Sequence, residues 1–277
     1  MLRMATTTPD LGSYDCILVN SSAGKDSQAM LDYLVELADT QGVSRDKFVV
    51  VHCDLGRVEW TGTLELAQEQ AEHYGLRFEV VRRELGDLLE QVEQRHAANL
   101  AKGKENSPWP SLDNRWCTSD QKTAQVLKLI TRLTKELSLP GGRQARILNC
   151  LGLRAEESPA RAKKAEFEVE KKATNGKRHT DRWLPIFDWT EEQVWDRIWA
   201  SGVRYHEAYE VGMPRLSCCF CVLASPKDWA IAARYNRALA EEYVAVEDRV
   251  GHAMVEMPTK RISMREILAE VDAVTAA

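Results

Sequence analysis

No stretch of this 277-residue chain is long and apolar enough to span a membrane, and Met1–Asp10 shows no secretory leader, so a cytoplasmic protein is expected. Internal repeats and low-complexity tracts are absent as well, which leaves no basis for a repeat array or an extended disordered segment. A chain-wide basic field is missing: 37 Lys and Arg face 42 Asp and Glu, a net charge of −5, so no global attraction to nucleic acid exists. No cysteine follows Cys221. What remains is ordinary globular material, 44% hydrophobic and 29% charged, long enough for one large domain or a domain with a modest extension.

One local feature departs from the acidic average. Residues 154–182 carry nine Lys or Arg against six Asp or Glu. The segment reads either as a solvated hairpin or as a rim facing phosphate or nucleic acid.

The most informative residues are Ser21-Ser22-Ala23-Gly24-Lys25-Asp26-Ser27. They follow an apolar strand, Cys16–Val19, and precede a helix whose apolar positions 30, 31, 34 and 37 share one face. Strand, small-residue loop with a lysine, then helix is the layout of a phosphate cradle, because small residues let the backbone approach an anion and the helix start offers free N–H groups. The Walker A pattern fails, since Val19 stands where it needs glycine and Asp26 where it needs Ser or Thr. The loop resembles instead the pyrophosphatase loop (PP-loop) of enzymes that split ATP between its α and β phosphates. In that family it usually reads Ser-Gly-Gly-Lys-Asp-Ser, so Ala23 replaces a glycine.

Further along, apolar strands at 48–53, 78–81 and 147–151 alternate with helices expected at 61–74, 86–98 and 119–137. Continuous apolar strands separated by helices imply an α/β fold, a parallel sheet with helices on both faces. Its ligand site should lie at the carboxyl ends of the strands, where residues 21–27 fall. The expected organisation is a nucleotide-binding domain over 12–187 and a helical, cysteine-bearing C-terminal region over 188–277. A hairpin turn is expected at Asn175-Gly176, and a helix from Ser225 to about Val250. Val194, Trp195, Ile198 and Trp199 should form an apolar, core-facing stripe.

Three more segments carry the resemblance into the phosphoadenylyl-sulfate (PAPS) reductase-like branch of the PP-loop superfamily: His52-Cys53-Asp54-Leu55-Gly56, Arg115-Trp116-Cys117-Thr118, and Gly152-Leu153-Arg154 through Arg161. It implies a nucleotide site made of Ser21, Ser22, Ala23, Gly24, Lys25, Asp26, Ser27, Asp54, Arg154 and Arg161. Lys25, Asp26 and Cys117 would take part in catalysis with ATP and Mg²⁺. Asp54 reads as a ligand of ribose or magnesium or as a plain turn residue. The arginines suit an anion because guanidinium binds phosphate or sulfate through two parallel hydrogen bonds.

Seven cysteines divide into two groups. Cys16, Cys53 and Cys150 lie in or at the ends of apolar strands and read as core packing. Cys117, placed at a helix entry with a capping box expected between Thr118 and Gln121, and the dense run Cys218-Cys219-Phe220-Cys221 read as ligands or reactive thiols. Iron–sulfur adenylyl-sulfate (APS) reductases hold a [4Fe–4S] cluster with a Cys-Cys pair and a later Cys-x-x-Cys. The resemblance therefore implies a cluster, or zinc, on Cys117, Cys218, Cys219 and Cys221, with Cys219 or a non-protein ligand replacing the cysteine missing at Trp116. Thioredoxin-dependent reductases carry a catalytic cysteine on a C-terminal tail, where this sequence has none. The character is closest to the ATP pyrophosphatase/sulfurtransferase components of DNA phosphorothioation systems, whose partners would include a cysteine desulfurase or other sulfur donor, other modification proteins and the DNA backbone. A PAPS or APS reductase, a sulfate adenylyltransferase subunit, a tRNA thiolase and a non-catalytic nucleotide-binding protein are the rival readings.

Overall fold

A computed structural model describes residues 8–257 and 260–275. Residues 1–7, part of the stretch read for a leader, lie outside it.

Six strands form one sheet in the order β3-β2-β1-β4-β6-β5: β1 (Cys16–Ser21), β2 (Phe48–Asp54), β3 (Arg77–Arg82), β4 (Ala145–Leu151), β5 (Phe167–Val169) and β6 (Arg178–Trp183). β1 pairs in parallel with β2 and β4, and β4 with β6; the short edge strand β5 is antiparallel to β6. The hairpin joining β5 to β6 turns through Gly176 and Lys177, one residue beyond the expected Asn175-Gly176, because Asn175 is itself paired with Arg178. β1 alternates its side chains between two cores, as a two-residue repeat requires. Ile17 and Val19 pack with Met30, Leu31 and Leu34 of α1 (Lys25–Gln41) and with Val194 and Ile198 of α7 (Glu191–Ser201). On the other face, Cys16 and Leu18 pack with Leu129, Ile130 and Leu133 of α5 (Ala124–Glu136). The sheet is thus covered on both faces. The strand order reverses direction between β1 and β4, which places a crevice at their carboxyl ends.

The remaining helices are α2 (Thr63–His73), α3 (Leu88–Leu100), α4 (Trp116–Thr118), α6 (Pro159–Ala162), α8 (Pro226–Tyr235), α9 (Arg237–Val250) and α10 (Met264–Thr275), with a small hairpin of β7 (Val255–Met257) and β8 (Lys260–Ile262). Among the described residues no helix is long and apolar enough to cross a membrane.

Two compact units result, and they are not the contiguous halves expected at 187/188. Among the described residues, the first comprises 8–53, 62–81 and 126–206; the second comprises 54–61, 82–125 and the residues from 207 onward. The physical reason is that the segments following β2 and β3 pack into the helical core of the second unit. There Leu55, Val58, Leu88, Leu89 and Val92 join Trp229, Tyr243 and Val246.

Three local expectations are corrected. The helix after Ser225 breaks at Asn236, whose φ of −129° and ψ of 50° leave the helical region while its side-chain amide donates to the Ala232 carbonyl at 3.1 Å. Thr118 does not cap a helix: it lies inside a helical run that begins at Trp116, and Gln121 is buried and bonds Gln91 at 2.7 Å. In α7, Val194 and Ile198 are core residues, but Trp199 is 63% exposed and stacks on the half-buried Trp195.

Candidate functional site

In the first unit the loop between β1 and α1 is closed by its own serines. The Ser27 hydroxyl donates to the Gly24 carbonyl at 2.9 Å and accepts from the Ser22 N–H at 3.1 Å, and the Ser21 hydroxyl accepts from the Ala23 N–H at 3.2 Å. Gly24 is the N-cap of α1, so Lys25 and Asp26 occupy its first turn, where the helix dipole favours negative charge. Ala23 has a φ of 55° and is fully buried. The left-handed conformation that the family's glycine would adopt freely is here borne by an alanine. Ala23→Gly is expected to keep the melting temperature within a few degrees, since easier φ offsets the lost methyl. Ala23→Val, β-branched at positive φ and without room, should unfold the loop; thermal melts of the two variants check this.

Lys25 is 2% exposed, and its ammonium lies 3.3 Å from the Glu191 carboxylate at the start of α7. Arg154, 3% exposed, sits just past β4. Its Nε donates to Asp26 at 2.5 Å and its Nη1 to Glu156 at 2.6 Å and to the Trp189 carbonyl at 3.3 Å. Gly152 brings this segment against the loop: a Cβ there would stand 2.9 Å from the Asp26 carbonyl oxygen and 3.1 Å from the Ser27 Cα. The structure therefore gathers Ser21–Ser27 and Arg154 into one locus. Arg161 is paired with Glu157, four residues earlier. Glu191 is absent from the residues expected from the sequence, and Gly152 enters there only as the first residue of the segment leading to Arg161, without a role. The signal available for Glu191 was its position next to Thr190, the N-cap of α7, whose capping box with Gln193 fixes where the helix starts.

The other expected residues lie in the second unit. Asp54 accepts from the Gly56 N–H at 2.7 Å and lies 3.4 Å from Arg82, which makes it part of a tight turn. Cys218-Cys219-Phe220-Cys221 is wound tightly: the Cys221 N–H returns to the Cys218 carbonyl at 3.2 Å, and the Trp229 indole donates to the Cys221 carbonyl at 2.8 Å. Cys219 and Phe220 point into the apolar core, and the Cys219 N–H donates to the Val58 carbonyl at 2.8 Å. Burial pushes the Cys219 thiol up to about 12. Cys117 and Cys218 pack at the margin of that core. Burial raises both thiols, and the Lys122 ammonium pulls in the opposite direction on each. Cys117, Cys218 and Cys221 feel one another electrostatically. The Tyr243 hydroxyl, 1% exposed, also feels Cys218, Cys219 and Cys221 and has no hydrogen-bond partner among the described residues. Among the described residues no group of three or more His, Cys, Asp or Glu side chains is arranged to hold a metal ion. None of the seven cysteines is in a disulfide. Cys16 and Cys150 are buried in the sheet core, and burial raises both thiols, Cys16 to about 12, so they are inert packing residues.

Comparison with known proteins adds the following. The profile of the phosphoadenosine phosphosulfate reductase domain matches residues 16–224. An uncharacterised protein of Methanocaldococcus jannaschii is 27% identical over 74% of this chain and 36% of its own length. An adenosine 5′-phosphosulfate reductase of Shouchella clausii is 27% identical over 50% of this chain and 55% of its own length. The chain spans about a third to a half of the length of the first curated relatives it matches. Among solved structures, a PAPS reductase of Candida auris in a phosphate complex covers 74% of this chain and 82% of its own, with a TM-score of 0.45 and 18% identity. A U34-tRNA thiolase of Methanococcus maripaludis with its [4Fe–4S] cluster covers 96% and 75%, with a TM-score of 0.43 and 14% identity.

Proposed function

Since the chain belongs to the phosphoadenosine phosphosulfate reductase domain family, within the PP-loop superfamily, we propose that it binds ATP on residues 21–27 and splits it between the α and β phosphates to activate an acceptor for sulfur transfer. The observation that carries this reading is the convergence of Lys25, Arg154 and the serine-closed loop at the start of α1.

An acceptor oxygen attacks the α-phosphorus, a new P–O bond forms there, and the bond to the β-phosphate bridging oxygen breaks, releasing pyrophosphate. Lys25 and the first-turn N–H groups of α1 neutralise the charge that gathers on the departing phosphates. Arg154, locked to Asp26, holds that turn in place. Mg²⁺ would arrive with the nucleotide. The acceptor is thereby adenylated, and a sulfur nucleophile then displaces AMP, a far better leaving group than a bare phosphate oxygen. For the acceptor we propose a DNA backbone phosphate, for the sulfur source a cysteine desulfurase or similar donor, and for the setting a DNA phosphorothioation system with its other proteins.

Cys117, Cys218 and Cys221 would hold a [4Fe–4S] cluster, with zinc as the alternative metal. The donor chemistry favours it: three soft sulfur donors feel one another beside a tyrosine hydroxyl orphaned among the described residues. Among those residues the side chains are not arranged around a metal ion, so binding would require them to close in and lose their protons. The cluster, when bound, would supply the sulfur-handling centre. Cys219, turned into the core, leaves the fourth position to another ligand.

The test is Lys25→Ala in a pyrophosphate-release assay with ATP, run with and without DNA. The Glu191 carboxylate it leaves behind is half exposed and returns to water, so the fold should survive. Release should fall at least about 100-fold. Release unaffected by the change removes the enzymatic reading. RNA, rather than DNA, stimulating the wild-type reaction would replace the acceptor and keep the chemistry.

A further inference from the structure

The charges at the loop do not suit a polyanion as they stand. Two buried cations, Lys25 and Arg154, are surrounded by three carboxylates, those of Asp26, Glu156 and Glu191. The cluster is net negative where the proposed function needs to receive a triphosphate.

The three carboxylates are not held alike. Asp26 is 19% exposed and receives the Arg154 Nε at 2.5 Å. One Glu156 oxygen accepts both from Arg154 at 2.6 Å and from the Glu191 backbone N–H at 2.9 Å. Glu191 is the loose member: its carboxylate is 54% exposed and stands 3.3 Å from Lys25 and 4.0 Å from Arg154. It reaches both cations from outside, as an entering phosphate would.

We propose that the Glu191 carboxylate is a place-holder on Lys25 and Arg154, which the phosphates of the nucleotide displace when they bind. The inference rests on the loop's being a phosphate site. Glu191 thereby adds a counter-charge to two cations that are almost wholly buried, and it sets a threshold that a singly charged anion passes less readily than a polyphosphate. Its helix position suits this, because its backbone stays anchored to Glu156 while the side chain swings into solvent.

The experiment is calorimetric titration of the full chain with inorganic pyrophosphate and with ATP, for wild type, Glu191→Gln, Glu192→Gln, Lys25→Ala and Lys25→Ala/Glu191→Gln. Glu192 neighbours Glu191 in the first turn of α7 and forms no ion pair among the described residues, so its variant removes the same charge without the contact. Glu191→Gln is expected to lower the dissociation constant for pyrophosphate about two- to fivefold, the effect of one partly exposed ion pair, while Glu192→Gln changes it much less. In the Lys25→Ala background the Glu191 effect should shrink towards that of Glu192. Unchanged or weaker binding by Glu191→Gln, with wild type binding normally, overturns the place-holder and makes Glu191 a structural residue or a ligand. Equal gains from both glutamine variants reduce it to a general charge effect and overturn it too. Wild type binding neither probe would remove the phosphate site itself.

Discussion

Gly152→Ala is expected to destroy the nucleotide site and to lower stability by about 1–3 kcal/mol. The added methyl would stand 2.9 Å from the Asp26 carbonyl oxygen, 3.0 Å from its carbon and 3.1 Å from the Ser27 Cα. All three are backbone atoms in the first turn of α1, and no side chain can swing aside to make room. Relief requires the end of β4 and the start of α1 to separate. That motion pulls Arg154 from Asp26 and shifts Lys25 relative to the loop that presents it. The expected result is a melting temperature several degrees lower together with loss of pyrophosphate and ATP binding in titrations. A well-folded variant that binds both normally would show that the close approach is not needed. Gly152 is not in the left-handed region, so the demand is for space alone.

The second large effect concerns the cysteines, and it separates them. Anaerobically purified protein should be brown and contain iron and acid-labile sulfide. Cys117→Ser, Cys218→Ser and Cys221→Ser should each lose most of both, because each removes one of three proposed thiolate ligands. Cys219→Ala should keep its iron: that thiol lies in the apolar core with Phe220 and Trp229, so the cost there is a small cavity, about 1 kcal/mol. Equal iron loss in all four variants would make Cys219 a ligand and imply that the loop rearranges on metal binding. Colourless wild-type protein holding zinc but no iron would select zinc. Protein with neither metal would remove the cluster from the proposal.

The strands β1, β2 and β4 were legible because each is built around a continuous apolar run, which has few alternatives between flanking turns and helices, whereas the polar β6 was legible only as the arm of a hairpin. The loop was legible because a lysine among small residues at a strand–helix junction has a recognisable use. Other features escaped for definable reasons. Asn236 breaks a helix that its neighbours would continue, since one side-chain amide competes for the Ala232 carbonyl. The capping box at Thr118 failed because capping depends on where the helix begins, and the run begins two residues earlier, at Trp116. Trp199 fits a helical stripe, but the stripe is wider than the surface that covers it. The roles of Glu191 and Gly152 could not be found by spacing, because they come from residues 166 and 126 positions away in the chain.

The chain passes between its two compact units five times, at 53/54, 61/62, 81/82, 125/126 and 206/207. A nascent chain therefore completes the first unit once residue 206 has emerged, while residues 54–61 and 82–125 still await the partners from 207 onward. Leu55, Val58, Leu88, Leu89 and Val92 spend that interval without Trp229, Tyr243 and Val246 to cover them. On the ribosome this is an exposed apolar surface of the kind holdase chaperones bind, and it ends only when α8 and α9 are made.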